Sequence, residues 1–290
     1  KSEEFKNVPL SQLNGLDVEE MNDTVKKHLF QSIKYLKEMD GFNDLIKTAE
    51  SVREKSIEFE KTAELAVALT TQGLQERHWN ELKEKTGIDC TDQSADIDLK
   101  AILEKNDLNK EIIEHAKLIA DKASREFQIK QKLEVLEKNW ASVEFGTQPH
   151  RIKGLFIITG WGDIYKVLDE DVQEVQQLEV NPYKQHFINE INEWSSSFQN
   201  ITDVLESLSK LQTKWFQLQP IFESPDITKS IPHDASIFAK ADKSFKEIVR
   251  GLKESTNVKF ICNKEGLLDK IKESNNWLEE VEKGLNDYIE

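Results

Sequence analysis

The segment KWFQLQPIFESPDI, residues 214–227, ends the longest regular stretch of the sequence. Before it, apolar side chains recur at steps of three and four residues, a heptad-like pattern that predicts a long helix over residues 182–218. Pro220 predicts the end of that helix, because proline has no N–H and its ring clashes with the preceding turn. Pro225 and Pro232 predict irregular chain or single turns beyond it. The apolar positions of the pattern are Phe187, Ile191, Trp194, Phe198, Ile201, Leu205, Leu208, Leu211, Trp215 and Leu218.

Helical patterns also account for most of the remaining sequence. Only 11 Gly and 6 Pro occur among 290 residues, and no proline lies between Pro9 and Pro149. Few breakers favour long helices, and the narrow apolar stripes are typical of helices buried on one side. The sequence therefore predicts a mainly α fold, an elongated rod of long antiparallel helix bundles. The predicted helices cover about residues 17–39, 42–69, 74–86, 98–105, 107–140, 163–178, 182–218, 235–254, 258–262 and 267–288.

Several helix starts are indicated by residues whose side chains accept hydrogen bonds from the free N–H groups of a first turn. The predicted N-caps are Asp17, Asp98, Asp107, Asp163 and, with Pro182 at the first helical position, Asn181. Asp226 is predicted to cap the turn that follows Pro225.

One stretch has the period of a strand. Residues 143–145 alternate, and the run LFIIT at residues 155–159 is apolar and favours strands, which predicts one small β-hairpin. We take this change of period as a boundary between residues 1–142, a helical bundle, and residues 143–290, a hairpin with a second bundle. An exposed acidic loop is predicted over residues 88–97.

Charge and composition exclude some partners. The net charge of −15 repels nucleic acid phosphates and anionic membrane surfaces. No apolar run approaches the roughly 18 residues of a membrane span. The sequence has no secretory signal and does not begin with Met, so we expect it to be a piece of a longer protein. Cys90 and Cys262 are expected to be free thiols in a reducing compartment.

The sequence contains no pattern that predicts catalysis, a cofactor or a metal. The phosphate-binding spacing Gly-x4-Gly-Lys-Ser/Thr is missing, and Gly160-Trp161-Gly162 is interpreted as a turn. The six histidines stand apart from one another and from the cysteines, so metal binding has no local support. They are His28, His78, His115, His150, His186 and His233. We therefore predict that the chain is not an enzyme and holds no cofactor.

Three motifs carry a resemblance. They consist of Arg77, His78, Trp79 and Leu82; of Trp215, Leu218, Pro220, Ile221, Phe222, Asp226 and Ile227; and of Gly284, Leu285 and Tyr288. In order and spacing they resemble the linker region of dynein heavy chains, which lies N-terminal to the AAA+ motor ring. The resemblance covers about residues 70–290, whereas residues 1–70 match only in helical character.

The resemblance implies a mechanical role. In this family the linker is a helical lever that bends and straightens across the AAA+ ring and gives the power stroke along microtubules, while the ring hydrolyses ATP. The expected partners are ring modules of the same heavy chain and, through the whole motor, microtubules and other dynein subunits. Gln217, Gln219, Pro220 and Pro225 resemble an axonemal heavy chain, so we expect the ciliary axoneme as the location and a monomer for the isolated chain.

One alternative function is a spectrin-like, coiled-coil scaffold or adaptor that binds partner helices through exposed apolar stripes. It predicts an internal repeat, which the sequence does not show convincingly, and dimers that form with rising concentration. Under the lever hypothesis, the candidate bending sites are residues 144–162 and 219–232, because both interrupt long helices.

Overall fold

The structure, a computed structural model, describes residues 2–91, 97–252 and 254–289. The described residues are mainly helical, with one two-stranded antiparallel sheet, which confirms the predicted mainly α class and the single hairpin. The chain forms two compact units, Lys1–Ile129 and Lys130–Glu290. The division lies inside a long helix, and the predicted boundary after residue 142 stays a prediction.

The helices are the only regular elements in the described part of the first unit. Helices α2 and α3 form an antiparallel pair, and their inner ends join the core made with α4, α5 and α6. Its helices are α1 (Ser2–Lys6), α2 (Gly15–Lys37), α3 (Asn43–Leu69), α4 (Glu76–Thr86), α5 (Leu99–Lys105) and the first part of α6 (Lys110–Trp140). Core side chains include Val18, Leu65, Leu69, Leu82, Ile88, Leu99, Ile113 and Ile119.

The second unit contains the hairpin and the remaining helices. Helix α8 is its centre, since α7, α10, α11 and α12 all pack on it. Its further elements are β1 (Gly146–Pro149), β2 (Phe156–Thr159), α7 (Trp161–Glu179), a 3-10 turn (Lys184–Phe187), α8 (Ile188–Phe222), α9 (Pro225–Ser230), α10 (Pro232–Gly251), α11 (Val258–Cys262) and α12 (Leu267–Ile289).

The predicted apolar stripe of α8 is the core of this unit. Every member from Ile191 to Leu218 is buried, and only Phe187, in the 3-10 turn, is half-buried. Pro220 does not end the helix, which continues to Phe222. The prediction was wrong because Pro220 lies in the last turn, where its missing N–H costs only one hydrogen bond.

The two later prolines also differ from their prediction. Pro225 and Pro232 each occupy a first helical position, in α9 and α10. The fixed φ angle of proline suits this position, whose N–H has no partner within the helix. Residues 225–251 are therefore two successive helices, separated only at Ile231.

Two predicted N-caps lie in the first turn of their helices. Asn14 caps α2, its side chain accepting from the N–H of Leu16 at 3.2 Å, so Asp17 follows the cap. Gly160 precedes α7, so Asp163 also lies within the helix. Both carboxylates are still placed favourably, close to the positive end of the helix dipole.

Of the other predicted caps, Asp98 is confirmed and Asp107 is wrong. The side chain of Asp98 accepts from the N–H of Ala101 at 2.8 Å. At the start of α6 the acceptor is Asn109, 2.9 Å from the N–H of Ile112. Asn181 accepts from the N–H of Tyr183 at 2.9 Å, and the 3-10 turn separates it from α8.

The alternating residues 143–145 are not part of the hairpin. The N–H of Phe145 donates to the carbonyl of Thr256 at 2.8 Å, and the N–H of Val258 donates to that of Val143 at 2.9 Å. In the hairpin itself, Gly146 pairs with Thr159 and Pro149 with Phe156.

The predicted exposed loop at residues 88–97 is wrong in its first part. Ile88 and Cys90 are buried and belong to the core of the first unit. Residues 92–96 of the predicted loop lie outside the described residues.

Candidate functional site

The first motif joins α4 to α6. Glu126 of α6 is buried, and its Oε2 accepts from Arg77 Nε at 3.0 Å and also from Arg77 Nη2. His78 Nε2 lies 3.1 Å from the same oxygen but without the geometry of a hydrogen bond. Lys122 and Glu81 form a second ion pair between the helices at 2.8 Å. Leu82 of the motif is buried and Trp79 is half-buried against the same core.

His78 also caps its own helix. Its Nδ1 accepts the N–H of Gln75 at 3.0 Å, the reciprocal half of a capping box. Burial lowers the pKa of His78, and the nearby Glu126 carboxylate opposes this effect. The neutral ring is therefore the form that fits the fold.

We predict that His78 makes the fold sensitive to acid. Because its pKa is lower in the folded chain, the unfolded chain binds the proton more tightly, and stability falls as the pH drops below about 6.5. His78→Gln keeps an acceptor suited to this capping position but does not titrate. The denaturant midpoint should therefore fall further between pH 7.5 and pH 5 for the wild type than for His78→Gln. Equal falls would contradict this role.

A glycine allows the segment before α4 to lie against α6. Gly73 has a φ of +98°, and a Cβ added there would meet Phe127 Cβ at 2.4 Å and the carbonyl oxygen of Ala123 at 2.8 Å. Both neighbours are held by α6, so neither gives way easily.

Gly73→Ala is expected to destabilise the chain by at least about 2 kcal/mol, because backbone strain adds to the clash. Gly41→Ala is the matched control, since Gly41 has a φ of +92° with nothing within 4 Å of the added Cβ. It should cost only about 1 kcal/mol. Denaturant unfolding measures both, and equal costs would show that the contact with α6 contributes nothing.

The second motif lies where α8 meets α10. Trp215 is fully buried and stacks on Phe245, with ring centroids 4.7 Å apart. Its Nε1 donates to Asp242 Oδ1 at 2.9 Å, and Asp242 also pairs with Lys246 at 2.7 Å. A hydrogen-bonded tryptophan here fixes the distance and rotation between the two helices.

The end of the motif makes a second aromatic contact between α8 and α10, at the C-terminal end of α8. Phe222 stacks on Phe238 of α10 at 4.8 Å. Leu218 is buried, Ile221 and Ile227 are half-buried, and Asp226 is exposed in the first turn of α9. Ser224, and not Asp226, occupies the N-cap position of α9.

The hairpin docks on the same part of α8. The side chain of Gln212 accepts the N–H of Ile158 at 2.8 Å and donates to its carbonyl at 2.9 Å, as a neighbouring strand would. In the turn of the hairpin, Arg151 donates to Gln219 at 2.5 Å and to Glu223 at 2.8 Å. The two candidate bending regions therefore contact each other.

The third motif brings α12 against the start of α10. A Cβ added at Gly284 would lie 2.1 Å from Asp234 Oδ1, so a side chain there would push this carboxylate aside. Leu285 is buried, whereas Tyr288 is 50% exposed. Lys214 of α8 pairs with Glu282 of α12 at 2.5 Å, so the second and third motifs share α8, α10 and α12.

The full chain matches one family of proteins. The family model described as "Dynein heavy chain, N-terminal region 2" matches residues 1–290. The chain belongs to the dynein heavy chain family. The predicted family is thus confirmed. The match also covers residues 1–70, which contain none of the three sequence motifs.

Curated relatives agree with this family. Dynein axonemal heavy chain 1 of Rattus norvegicus is 28% identical over 289 residues, which is 100% of this chain and 6% of the relative. Dynein axonemal heavy chain 12 of the same species is 27% identical over 279 residues, 96% of this chain and 9% of the relative. Dynein axonemal heavy chain 3 of Homo sapiens is 27% identical over 290 residues, 100% of this chain and 7% of the relative. The chain thus spans less than a tenth of each.

The dynein motifs are joined by residues that sequence reasoning missed. Glu126, Gln212 and Asp242 each hold a motif or the hairpin in place through a side chain. Glu126 is one of 54 acidic residues in the chain. A polar position inside an apolar stripe, such as Gln212 after Leu211, is the one sequence signal that indicates a buried polar contact.

The described part of this dynein region has no grouping of three His, Cys, Asp or Glu side chains suited to a metal ion. None of its described helices is long and apolar enough to cross a membrane. Cys90 and Cys262 are free and buried, and burial raises their pKa to about 11 and about 12. Both thiols therefore stay protonated and unreactive near neutral pH.

Proposed function

We propose that this chain is a mechanical linker element of a dynein motor, which bends and straightens over the AAA+ ring and has no catalysis of its own. The observation that carries the proposal is the match of all 290 residues to the N-terminal region 2 of dynein heavy chains. The ATPase modules of the motor would then lie in other parts of the heavy chain.

The packing around α8 supports a force-bearing role. A lever must pass displacement along its length, which requires helices that neither slide nor rotate on one another. Trp215, Gln212 and the Lys214–Glu282 pair connect α8 to α10, the hairpin and α12. Such mixed aromatic and polar contacts resist sliding better than apolar packing alone, because polar contacts are directional.

The contact of Arg151 with Gln219 and Glu223 is our candidate for the place where the lever flexes. Arg151 and Glu223 are about half exposed, so breaking their ion pair costs little. Switching elements generally have two discrete arrangements. The hairpin could leave the end of α8 at this point while Gln212 keeps its other end attached.

A coupled assay on the full heavy chain tests the proposed function. Gln212→Ala with Arg151→Ala loosens the hairpin, and Thr213→Ala on the exposed side of α8 is the control. We expect the double variant to keep most of its microtubule-stimulated ATPase rate while its gliding velocity falls several-fold. Equal losses of both quantities, or a loss of neither, would contradict a transmitting role for this contact.

The relatives indicate where the motor would work. All three are named as axonemal heavy chains, so we propose the ciliary axoneme as its location. The proposed partners are AAA+ ring modules of the same heavy chain and, through the whole motor, microtubules and other dynein subunits.

Exposed apolar side chains on α2 and α3 favour a scaffold as the second candidate function. Phe30, Tyr35 and Leu45 are 59%, 65% and 55% exposed, and exposed apolar side chains on a helix can contact a partner helix. Sedimentation at rising concentration distinguishes the two functions. The linker proposal expects a monomer throughout, whereas a scaffold that binds partner helices should form dimers.

A further inference from the structure

A groove in the second unit lies between two helices. Its walls are one face of α6 from Lys130 to Trp140 and one face of α8 from Glu190 to Ser197. The lining residues of α6 follow steps of three and four, and the groove extends beside α11. Lys130 to Trp140 corresponds to about 15 Å, or nearly three helical turns. We call it the α6–α8 groove, and its two parts have volumes of about 350 and about 640 Å³.

The first part of the groove has an apolar floor. Leu133 and Trp194 are buried in the folded unit, and Phe187 is half-buried beside them. All three line the cavity, and Phe187 leaves the largest apolar surface there for an occupant to cover. A groove with an apolar floor can bind the apolar face of an amphipathic helix.

The rim of this part is acidic. Glu134 and Glu137 of α6 face Glu190 and Glu193 of α8, and Lys130 is the only basic residue among the described residues that line it. Glu137 is paired with Lys259 at 2.6 Å, and Glu134 is 3.7 Å from Lys130.

The α8 side of the rim is left uncompensated. Among the residues that the structure describes, Glu190 and Glu193 have no ion-pair partner. The charge of the rim therefore selects a basic occupant.

The second part of the groove has the opposite character. Lys259 lies 4.0 Å above the ring centroid of Trp194, and Lys264 lies over Phe260, which is 58% exposed. An occupant that spans both parts is therefore basic at one end and neutral or acidic at the other. This asymmetry would fix the direction in which it binds.

We propose that the α6–α8 groove binds a basic amphipathic helix of about three turns that belongs to another protein. The apolar face of that helix covers Leu133, Phe187 and Trp194, and lysine or arginine side chains at one end lie against Glu190 and Glu193. The inference goes beyond the linker function, because it assigns a specific contact surface to this face.

Calorimetric binding of a synthetic helical peptide to the complete chain tests the proposal. The probe has about twelve residues, with leucines on one face and lysines at one end, and the same peptide with glutamates for lysines is its control. We expect the basic peptide to bind and the acidic one to bind at least tenfold more weakly. Glu190→Gln with Glu193→Gln should weaken the basic peptide about fivefold to tenfold.

The matched control removes two carboxylates elsewhere. Asp169→Asn with Glu170→Gln changes the net charge equally on the exposed side of α7 and should alter affinity less than twofold. An equal loss in both double variants would mean only general attraction to an acidic protein and would overturn the proposal. If the chain forms dimers and Glu190→Gln with Glu193→Gln abolishes them, the groove binds a second copy of the chain. That result would also overturn the proposal.

Discussion

Trp215→Ala is expected to lower the free energy of unfolding of the second unit by about 3–5 kcal/mol, the usual cost of truncating a large buried aromatic residue. Trp215 is fully buried, stacks on Phe245 and donates to Asp242. The loss is mainly a cavity between α8 and α10, because Asp242 keeps its ion pair with Lys246. Hydrogen exchange of α8 and α10 amides measures the effect within this unit.

The neighbouring residue provides the control. Phe216 is 36% exposed, so Phe216→Ala should cost about 1 kcal/mol in the same measurement. Similar costs for the two variants would show that Trp215 does not hold α8 to α10.

Arg77→Ala is expected to destabilise the first unit by about 3 kcal/mol. It leaves the buried carboxylate of Glu126 without its guanidinium partner, and an unpaired buried charge is costly. The figure stands at the lower end of the usual range for such a loss, because Arg77 itself is 36% exposed. Denaturant midpoints at constant pH measure the change.

Two further variants identify the cause. Arg77→Met with Glu126→Leu removes both charges and should recover most of the loss. Lys122→Ala breaks the other pair between these helices, in which both partners are more than a third exposed, and should cost less than about 1 kcal/mol. A larger effect of Lys122→Ala than of Arg77→Ala would refute the buried-charge explanation.

Much of the fold follows from periodicity. The stripe from Ile191 to Leu218 predicts the buried face of α8, and the apolar run at residues 155–159 contains β2. The prediction that Pro220 ends α8 is wrong because the energetic cost of a proline depends on its distance from the helix end. The prediction of irregular chain at Pro225 and Pro232 is wrong because proline, which disrupts the interior of a helix, is well suited to its first position.

The contacts around the motifs were much less predictable. The sequence motifs identify Arg77 and Trp215, but their partners, Glu126 and Asp242, lie 49 and 27 positions away. Charged residues are common in this sequence, so only the folded chain shows which carboxylate is buried. The α6–α8 groove was missed for the same reason, since its acidic rim comes from two separate helices.

Fluorescence energy transfer during ATP turnover tests the central claim most directly. Val180 at the end of α7 is 81% exposed, so Val180→Cys places one dye on this region of the heavy chain. Cys90 and Cys262 are too buried to react, and a second dye is placed on the motor ring after its reactive cysteines are replaced. A linker predicts two transfer efficiencies that alternate with the nucleotide state of the ring. A single efficiency that stays constant through turnover would contradict the account.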